Sequence, residues 1–499
     1  MIQRKNKSAG TGLPVCRNNL EDDAYDIVWE VTGMDPKKSI YQIIYIFIGL
    51  FVLVLGYFAY FMIARSNEIM NSPYNKRQDV LAEQVVRGEI LSSTGDILAQ
   101  TVVDEDGKER RVYPYDDLFV HAVGRVSKGI TGIESTENIH LLTSGVNSFE
   151  KMYSDITGQK SIGNNVVTTL DTKLQQVAYD ALGDRRGAVV VMEPNTGKIL
   201  AMVSKPNYNP NSIDVDWGVL TTDENGQAPL INRATQGLYP PGSTFKLVTA
   251  LAFMRQNPDY KKYKYNCDGQ IEYNDMVIHC SHNTAHGKVD LTLSLAKSCN
   301  SSFANIGKSL DFAHFRSVSE ELLFNKSLPV NFECNPSVFT INANSAIKEV
   351  MQTAIGQGNT LITPLHNAMI VSTIANGGVM MKPYLVDHIE NANGGIVKRY
   401  ASQIDSKPMS TGEASYLAKM MRDVVTEGTG TKLKDLVVEA AGKTGSADTK
   451  EGEAAHAWFV GYAPYDHPQI AVSIIVENVG TGSDYAVPIA RKIFAAYFK

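Results

Sequence analysis

The sequence has few cysteines, no marked excess of charge and no repeated segment. Only five of its 499 residues are cysteine, and no pair has the CxxC spacing of a redox motif or zinc ribbon, so no disulfide scaffold is predicted. The net charge is −6, with lysine and arginine spread along the chain, which argues against a nucleic-acid partner. With 43% hydrophobic residues the chain is not disordered, and its length predicts two or three domains.

Long apolar runs are also scarce, and one run stands out. Residues 43–63, IIYIFIGLFVLVLGYFAYFMI, contain no charged side chain and are long enough, as a helix, to span a hydrocarbon core of about 30 Å. The run begins too far into the chain for a cleavable signal peptide, so we predict a transmembrane helix over residues 40–64 that contacts membrane lipid. Basic residues flank both ends of the helix, so charge barely indicates its orientation, which is inferred from size. We expect a cytoplasmic tail of residues 1–39 and an exported C-terminal part.

Two soluble parts follow the apolar run. Residues 65–165 contain short β-like segments, VVRGEIL, RRVYPY and DLFVHAVG, between turn signals, which predicts a small mixed pedestal module. Residues 166–499 are predicted to form a separate domain. It begins with a short strand and an amphipathic helix in VVTTLDTKLQQVAYDAL, and a hairpin follows in GAVVVMEPNTGKILAMVS. Further strand-like segments lie near the C-terminus, before a final helix. Strands at both ends with helices between them predict an α+β domain whose sheet joins distant segments.

A lysine interrupts the apolar helical run YPPGSTFKLVTALAF at residues 239–253. Burying its charged amine would cost several kcal/mol, so Lys246 needs a partner or a chemical role. The pattern SxxK occurs four times in the chain, but only Ser243 follows a Pro-Pro-Gly turn and opens an apolar helix. There the helix dipole favours developing negative charge on the serine oxygen, and Lys246 lies one turn further on the same face. A desolvated lysine has a lowered pKa, so its neutral amine could accept the serine proton.

Two further motifs strengthen this interpretation. Ser298 and Asn300 form an SxN motif after the helix-like DLTLSLAKS, where a turn can present a hydroxyl and a carboxamide together. Lys443, Thr444 and Gly445 form a KTG motif on a predicted strand. The lysine and threonine can hold a carboxylate, and the glycine lets the strand pass close to a ligand.

The order SxxK, SxN, KTG resembles the motif set of penicillin-recognising serine acyltransferases. The spacing between the motifs is more similar to transpeptidases than to β-lactamases. The segments RGEILSSTGDILAQ, AIGQG, ITPLHNA, VTEGTGT and HAWFVGYAP also resemble class B, monofunctional penicillin-binding proteins, so the likeness covers about residues 85–499. It implies a serine transpeptidase/β-lactamase-like fold, an antiparallel sheet flanked by helices. The middle residue of the second motif is Cys299, where the β-lactamase form SDN has aspartate.

The resemblance implies a role for each motif residue. Ser243 would be the nucleophile and Lys246 its base, while Ser298 would relay a proton and Asn300 would hold both Lys246 and a substrate amide. The substrate-binding residues would be Lys443 and Thr444, which grip the terminal carboxylate, together with Gly445 and Ser446. Backbone N–H groups of Ser243 and Ser446 would form the oxyanion hole. No cofactor and no metal are implied.

The family also implies what the protein acts on and with. Its substrates would be peptidoglycan stem peptides, and β-lactams would acylate the same serine. The pedestal is too small for a glycosyltransferase domain, so a SEDS-type glycosyltransferase is the expected partner. Two other functions remain open: a β-lactam sensor, which should have several membrane spans and a cytoplasmic effector, and a non-catalytic cell-wall scaffold, against which the intact motifs argue.

One cluster of cysteine and histidine residues has no place in these motifs. It precedes the second motif and contains Cys267, His279, Cys280, His282 and His286. Three interpretations remain open: a zinc site of no standard spacing, a disulfide between Cys267 and Cys280, and unpaired loop residues.

Overall fold

The structure is a computed structural model that describes residues 36–65, 77–145, 160–224, 226–449 and 452–499. Most of the predicted cytoplasmic tail, residues 1–35, lies outside these ranges. The helices are α1 Pro36–Tyr60, α2 Arg77–Gln84, α3 Val120–Val123, α4 Gly132–Thr136, α5 Asn138–Leu141, α6 Thr172–Leu182, α7 Ile213–Thr222, α8 Lys246–Gln256, α9 Leu291–Ala296, α10 Asn300–Ser309, α11 Phe312–Glu321, α12 Ile347–Ala354, α13 Pro364–Ala375, α14 Thr411–Thr426 and α15 Gly482–Tyr497.

The strands differ in length, from two residues in β1 to eight in β18. They are β1 Val85–Val86, β2 Ile90–Leu91, β3 Ile97–Val103, β4 Glu109–Val112, β5 Ser161–Ile162, β6 Asn165–Thr168, β7 Gly187–Met192, β8 Ile199–Lys205, β9 Tyr265–Cys267, β10 Gln270–Tyr273, β11 Met276–His279, β12 Gly287–Val289, β13 Met380–Met381, β14 Val386–Glu390, β15 Ile396–Arg399, β16 Ile404–Ser406, β17 Ala441–Ala447, β18 His456–Ala463 and β19 Ile470–Val476.

Helix α1 forms a unit of its own and continues into a π-helical turn, Phe61–Arg65. The segment Ile40–Ile63 has a mean hydropathy of 2.5, and its side chains are not buried. A stretch of 24 residues is long enough to cross a bilayer. The helix therefore has the length and composition of a membrane span where the sequence predicted one.

A five-stranded antiparallel sheet organises the C-terminal part, in the order β17-β18-β19-β7-β8. The predicted hairpin of β7 and β8 is present, and β19 pairs with β7, so strands from opposite ends of the domain adjoin. This confirms the predicted α+β fold. Strand β17 lies at the edge of the sheet, so one side of its backbone is not used for pairing within the sheet.

Both faces of this sheet are buried, which explains why its strands are almost continuously apolar. Along β18, Trp458 and Val460 face one hydrophobic core and Phe459 faces the other. Helix α13 packs against β19 and β7, and α15 packs against β18 and against α6. The helices thus hold the sheet, and with it strand β17, in a fixed position.

A second, mixed sheet joins the pedestal to the C-terminal domain in the order β15-β14-β6-β2-β3-β4. Strands β14 and β15 come from the later part of the chain, and β14 pairs antiparallel with β6. The domain boundary predicted after residue 165 falls within β6. The two soluble parts are therefore connected through backbone hydrogen bonds.

One local prediction was wrong. The segment DLFVHAVG was predicted as β-like, but Val120–Val123 form helix α3. Its valines are buried, and Gly124, at φ 89°, ends the helix. A short apolar run suits a buried helix as well as a strand, so periodicity could not separate the two.

A buried carboxylate ties the pedestal together. Glu134 accepts from Arg87 Nε at 2.6 Å and from Arg111 Nε at 2.7 Å, and its side chain is fully buried. Burial raises its pKa, but the two guanidinium groups outweigh burial and leave the pKa of Glu134 below its ordinary value. The carboxylate therefore stays charged and holds strand β4 and the segment between β1 and β2 to helix α4.

We expect Glu134→Ala to destabilise the full chain by about 3–5 kcal/mol, because it leaves two buried guanidinium groups unpaired. Urea unfolding of the detergent-solubilised protein would measure this loss. The control is Asp259→Ala, which breaks the exposed pair between Lys262 and Asp259 and should leave the midpoint unchanged. Equal midpoints for the two variants would contradict the structural role of Glu134.

Candidate active site

Ser243 lies in a tight turn that is pressed against strand β17. A short 3₁₀ helix, Gly242–Phe245, contains the serine and leads directly into α8. Gly242 has φ +54°, and a Cβ there would lie 2.7 Å from Ser446 O, so only glycine fits. Gly445 also lies near this turn, since a Cβ there would lie 3.2 Å from Pro241 O. The SxxK turn and the KTG strand are therefore in direct backbone contact.

Hydrogen bonds hold this turn from several sides. Gly242 N donates to Gly356 O at 2.9 Å, which brings in the AIGQG segment. The indole Nε1 of Trp458 donates to Pro240 O at 3.0 Å, and Thr244 Oγ1 donates to Pro241 O at 2.8 Å. The half-buried Ser243 is thus part of a turn that hydrogen bonds hold rigidly.

The side chain of Lys246 is completely buried. Its Nζ donates to Asn300 Oδ1 at 2.7 Å and to the backbone O of Ser298 at 2.8 Å, and lies 3.4 Å from Ser298 Oγ. Burial lowers the pKa of Lys246 to about 8, opposed in part by the thiols of Cys299 and Cys280. Among the described residues its hydrogen bonds go to the second motif and not to Ser243, although the sequence placed it within reach of the serine.

The second motif forms the turn between α9 and α10. Ser298 has φ +54°, a left-handed conformation that is rare for a residue other than glycine and is often found at functional sites. Cys299 caps α10 and Asn300 is its first residue. Asn300 Nδ2 donates to His279 O at 2.9 Å, which orients its carbonyl oxygen toward Lys246. The turn therefore presents two oxygen acceptors to one amine.

Strand β17 brings a second buried lysine to the same hydroxyl. Lys443 Nζ donates to Ser298 Oγ at 2.9 Å and to Thr444 O at 2.8 Å. Burial, together with the nearby Lys246, lowers the pKa of Lys443 well below its ordinary value. No carboxylate of the described residues contributes to the pKa of either amine. The site therefore suits a ligand that brings its own negative charge.

The structure also collects a group of metal-ligating atoms behind the second motif, which we call the thiol cluster. It consists of Cys267, Cys280, His286 and Cys299, whose ligand atoms all lie within 4.8 Å of one another. The sequence groups the first three of these residues with His279 and His282, and their spacing gave no reason to add Cys299. Those two histidines are exposed and are not part of the cluster. The signal that could have added Cys299 to the cluster was its position as a cysteine in the middle of the SxN motif.

The distances within the thiol cluster resemble a metal site. Cys280 Sγ lies 3.7 Å from Cys267 Sγ and 3.8 Å from Cys299 Sγ, and Cys267 Sγ lies 3.4 Å from His286 Nδ1. Sulfur ligands at about 2.3 Å around a tetrahedral zinc ion are about 3.8 Å apart. The cysteines are separate thiols, so of the three interpretations left open by the sequence the disulfide between Cys267 and Cys280 is the one that is not formed. A hydrogen bond from Cys299 lowers the pKa of the Cys280 thiol, which favours a metal-binding thiolate.

Comparisons with known proteins agree on one family. The profile of the penicillin binding protein transpeptidase domain matches residues 187–495, and that of the penicillin binding protein A dimerisation domain matches residues 87–166. The peptidoglycan D,D-transpeptidase PbpA of Mycolicibacterium smegmatis is 31% identical, with 90% of this chain and 96% of the relative covered. The peptidoglycan D,D-transpeptidase MrdA of Acinetobacter baumannii is 30% identical, over 77% of this chain and 65% of the relative.

Solved structures show the same similarity. The D,D-transpeptidase domain of a peptidoglycan glycosyltransferase from Eggerthella lenta has a TM-score of 0.75 at 30% identity, covering 83% of this chain and 98% of that one. The penicillin G acyl-enzyme complex of penicillin-binding protein A from M. tuberculosis has a TM-score of 0.75 at 29% identity, covering 83% and 99%.

Proposed function

The chain belongs to the penicillin-binding protein transpeptidases, and we infer from that premise that it is a serine D,D-transpeptidase of peptidoglycan. It cross-links stem peptides through an acyl-enzyme, and β-lactams acylate the same serine. The observation that carries this proposal is the completely buried amine of Lys246, bonded to the SxN motif and with a pKa lowered to about 8. At pH 7 an amine with a pKa of about 8 is neutral in about one molecule in ten, and this neutral form can act as a base.

In the proposed acylation step Ser243 Oγ attacks the carbonyl between the two terminal D-alanines, and its proton passes to Lys246. A neutral amine has two N–H groups and one lone pair. The two N–H groups of Lys246 have acceptors at Ser298 O and Asn300 Oδ1, which leaves the lone pair for the proton of Ser243. Hydrogen bonds in a ligand-free site often tighten only when substrate binds, so the missing contact with Ser243 is compatible with this role.

The acyl-enzyme forms when the carbon–nitrogen bond breaks and an ester to Ser243 replaces it. Ser298 Oγ lies between the amines of Lys246 and Lys443, where it can pass the proton from Lys246 to the departing D-alanine amine. An amine from a neighbouring stem peptide then attacks the ester, which restores the serine hydroxyl and forms the cross-link.

The substrate is held mainly through strand β17. Lys443 and Thr444 bind the terminal carboxylate, while Gly445 keeps the strand close to the SxxK turn. The N–H groups of Ser243 and Ser446 form the oxyanion hole, where one donor is commonly worth about 3 kcal/mol of barrier. The contact between Gly242 and Ser446 supports this arrangement, since it keeps the two elements at a fixed separation.

Two other functions fit less well. A β-lactam sensor would signal through several membrane helices, and the described residues contain one candidate span. Burying two lysine amines beside one serine costs free energy, and a non-catalytic scaffold would gain nothing from it. The assembled motifs therefore favour an enzyme.

We also propose that the thiol cluster binds a structural zinc ion. The residues fit, because three buried thiols and one imidazole are a common zinc ligand set and one thiol is readily deprotonated. Cys299 lies between Ser298 and Asn300, so a metal bound there would hold the second motif in place. A structural zinc ion of this kind contributes to folding and takes no part in acyl transfer.

The membrane helix and its partner complete the proposal. Residues 40–64 anchor the protein in the cell membrane by a single pass, with the catalytic domain outside the cytoplasm. The pedestal offers no room for a polymerase, so a separate SEDS-type glycosyltransferase supplies the glycan strands and contacts this helix and the pedestal.

Labelling with fluorescent penicillin should depend on both SxxK residues and on pH. Ser243→Ala abolishes covalent labelling, and Lys246→Ala slows it at least about 100-fold by removing the general base. In the wild type the rate should rise with pH and level off above about 8, because Lys246, next to Lys443 and the thiols of Cys280 and Cys299, acts as the neutral amine.

Ser345→Ala is the matched control, since Ser345 belongs to another SxxK pattern on a loop and should label normally. Persistent labelling of Ser243→Ala, or a rate in the wild type that does not change between pH 6 and 9, would overturn the assignment.

The purified full chain should contain about one zinc ion, measured by plasma mass spectrometry. Cys280→Ser should lose the metal and lower the unfolding temperature, because structural zinc stabilises the fold it joins. Cys334→Ser is the control, since Cys334 lies outside the thiol cluster and should retain zinc. A metal-free wild type, or equal zinc in Cys280→Ser, would refute the proposal.

Replacing residues 40–64 with an unrelated membrane helix should weaken copurification of the SEDS-type partner while penicillin labelling of the detergent-solubilised chain stays normal. The partner contact is expected within the membrane, whereas acylation needs only the catalytic domain. Unchanged complex formation and unchanged cross-linking in membranes would count against the proposed contact.

A further inference from the structure

The loop after α14 passes between the second and third motifs. It contains Gly428 and Thr429 of the VTEGTGT segment. A Cβ on Gly428 would lie 2.2 Å from Ala296 O, so the loop is wedged against the end of α9, two residues before Ser298. Thr429 N donates to Ala296 O at 3.3 Å, and Gly430 N donates to Val424 O at 2.9 Å. The backbone around Thr429 is therefore fixed from both sides.

The hydroxyl of Thr429 contacts the hydroxyl of Thr444. The two oxygens lie 2.5 Å apart, and among the described residues this is the single hydrogen bond of the Thr444 hydroxyl. Thr444 is buried and Thr429 is half-buried. The contact joins segments that are 15 residues apart and belong to different elements.

The chemistry of a bound carboxylate sets the direction of this hydrogen bond. A carboxylate accepts only, so Thr444 must donate its one hydrogen to it. The hydrogen shared by the two threonines must then come from Thr429 and be accepted by a lone pair of Thr444. A hydroxyl that accepts one hydrogen bond becomes a better donor in the next, because successive hydrogen bonds polarise one another.

We propose that Thr429 is a positioning residue of the carboxylate subsite. It donates a hydrogen bond to Thr444, so that the Thr444 hydroxyl donates its own hydrogen to the terminal carboxylate of the substrate or β-lactam. This inference rests on the proposed function, in which Thr444 binds that carboxylate. Thr429 acts through Thr444. The preference for a ligand with a terminal carboxylate therefore depends in part on a residue outside the three motifs.

The test compares acylation by penicillin G with acylation by its methyl ester, which lacks the anionic carboxylate. Thr429→Val keeps the shape of the side chain and removes the donor. We expect the second-order rate constant for penicillin G to fall about tenfold, through weaker binding before acylation, because a hydrogen bond to a charged group is weakened. The maximal acylation rate should be unchanged, and the rate with the methyl ester should stay within about twofold of the wild type.

Two further variants separate positioning from a structural role. Thr429→Ser retains the hydroxyl and should acylate like the wild type. Thr426→Val makes the same change at the end of α14, where the hydroxyl donates to Asp423 O at 3.5 Å and to no other described residue, and should also behave like the wild type. Unfolding temperatures of all variants show whether the loop is intact.

Each other outcome contradicts the inference in a distinct way. An equal loss with penicillin G and its methyl ester would assign Thr429 a structural role, as would failure of Thr429→Ser. No loss in Thr429→Val would mean that Thr444 needs no partner. If wild-type Ser243 takes up neither compound, the proposed function itself fails, and the inference fails with it.

Discussion

A lysine amine without access to water organises this active site. Its burial is tolerable because Lys246 donates to two oxygens, the backbone O of Ser298 and the carboxamide of Asn300. Those acceptors are available only while the turn between α9 and α10 keeps Ser298 in its left-handed conformation. The position of the second motif and the lowered pKa of Lys246 are thus consequences of one set of contacts.

Backbone contacts through glycine hold the motifs together. Gly242 and Gly445 let the serine turn lie against strand β17, and Gly356 lets a third segment approach the same turn, where a Cβ would lie 1.7 Å from Gly242 O. The sheet has a free edge at β17, and helices bury both of its faces. A rigid sheet can therefore fix this edge strand and still leave room beside it for a ligand.

Residues outside the three motifs also shape the site. The two lysines have no carboxylate partner that contributes to their pKa values, so a bound anion completes the local charge. Behind the second motif the thiol cluster contacts the turn through Cys299, and beside the third motif Thr429 contacts Thr444. Both lie behind the residues that surround Ser243, and the proposals made for them concern the geometry of the turn and the direction of one hydrogen bond.

The membrane span, the hairpin of β7 and β8, the α+β order and the three motifs could be predicted from the sequence, because apolar length, alternation and local turn residues are properties of neighbouring residues. Packing decided the rest. It made residues 120–123 a helix, paired β14 with β6, brought Cys299 to Cys267 and Cys280, and directed Lys246 to Ser298 and Asn300. These contacts join residues far apart in the chain, and no local pattern encodes the side of an element that meets a distant partner.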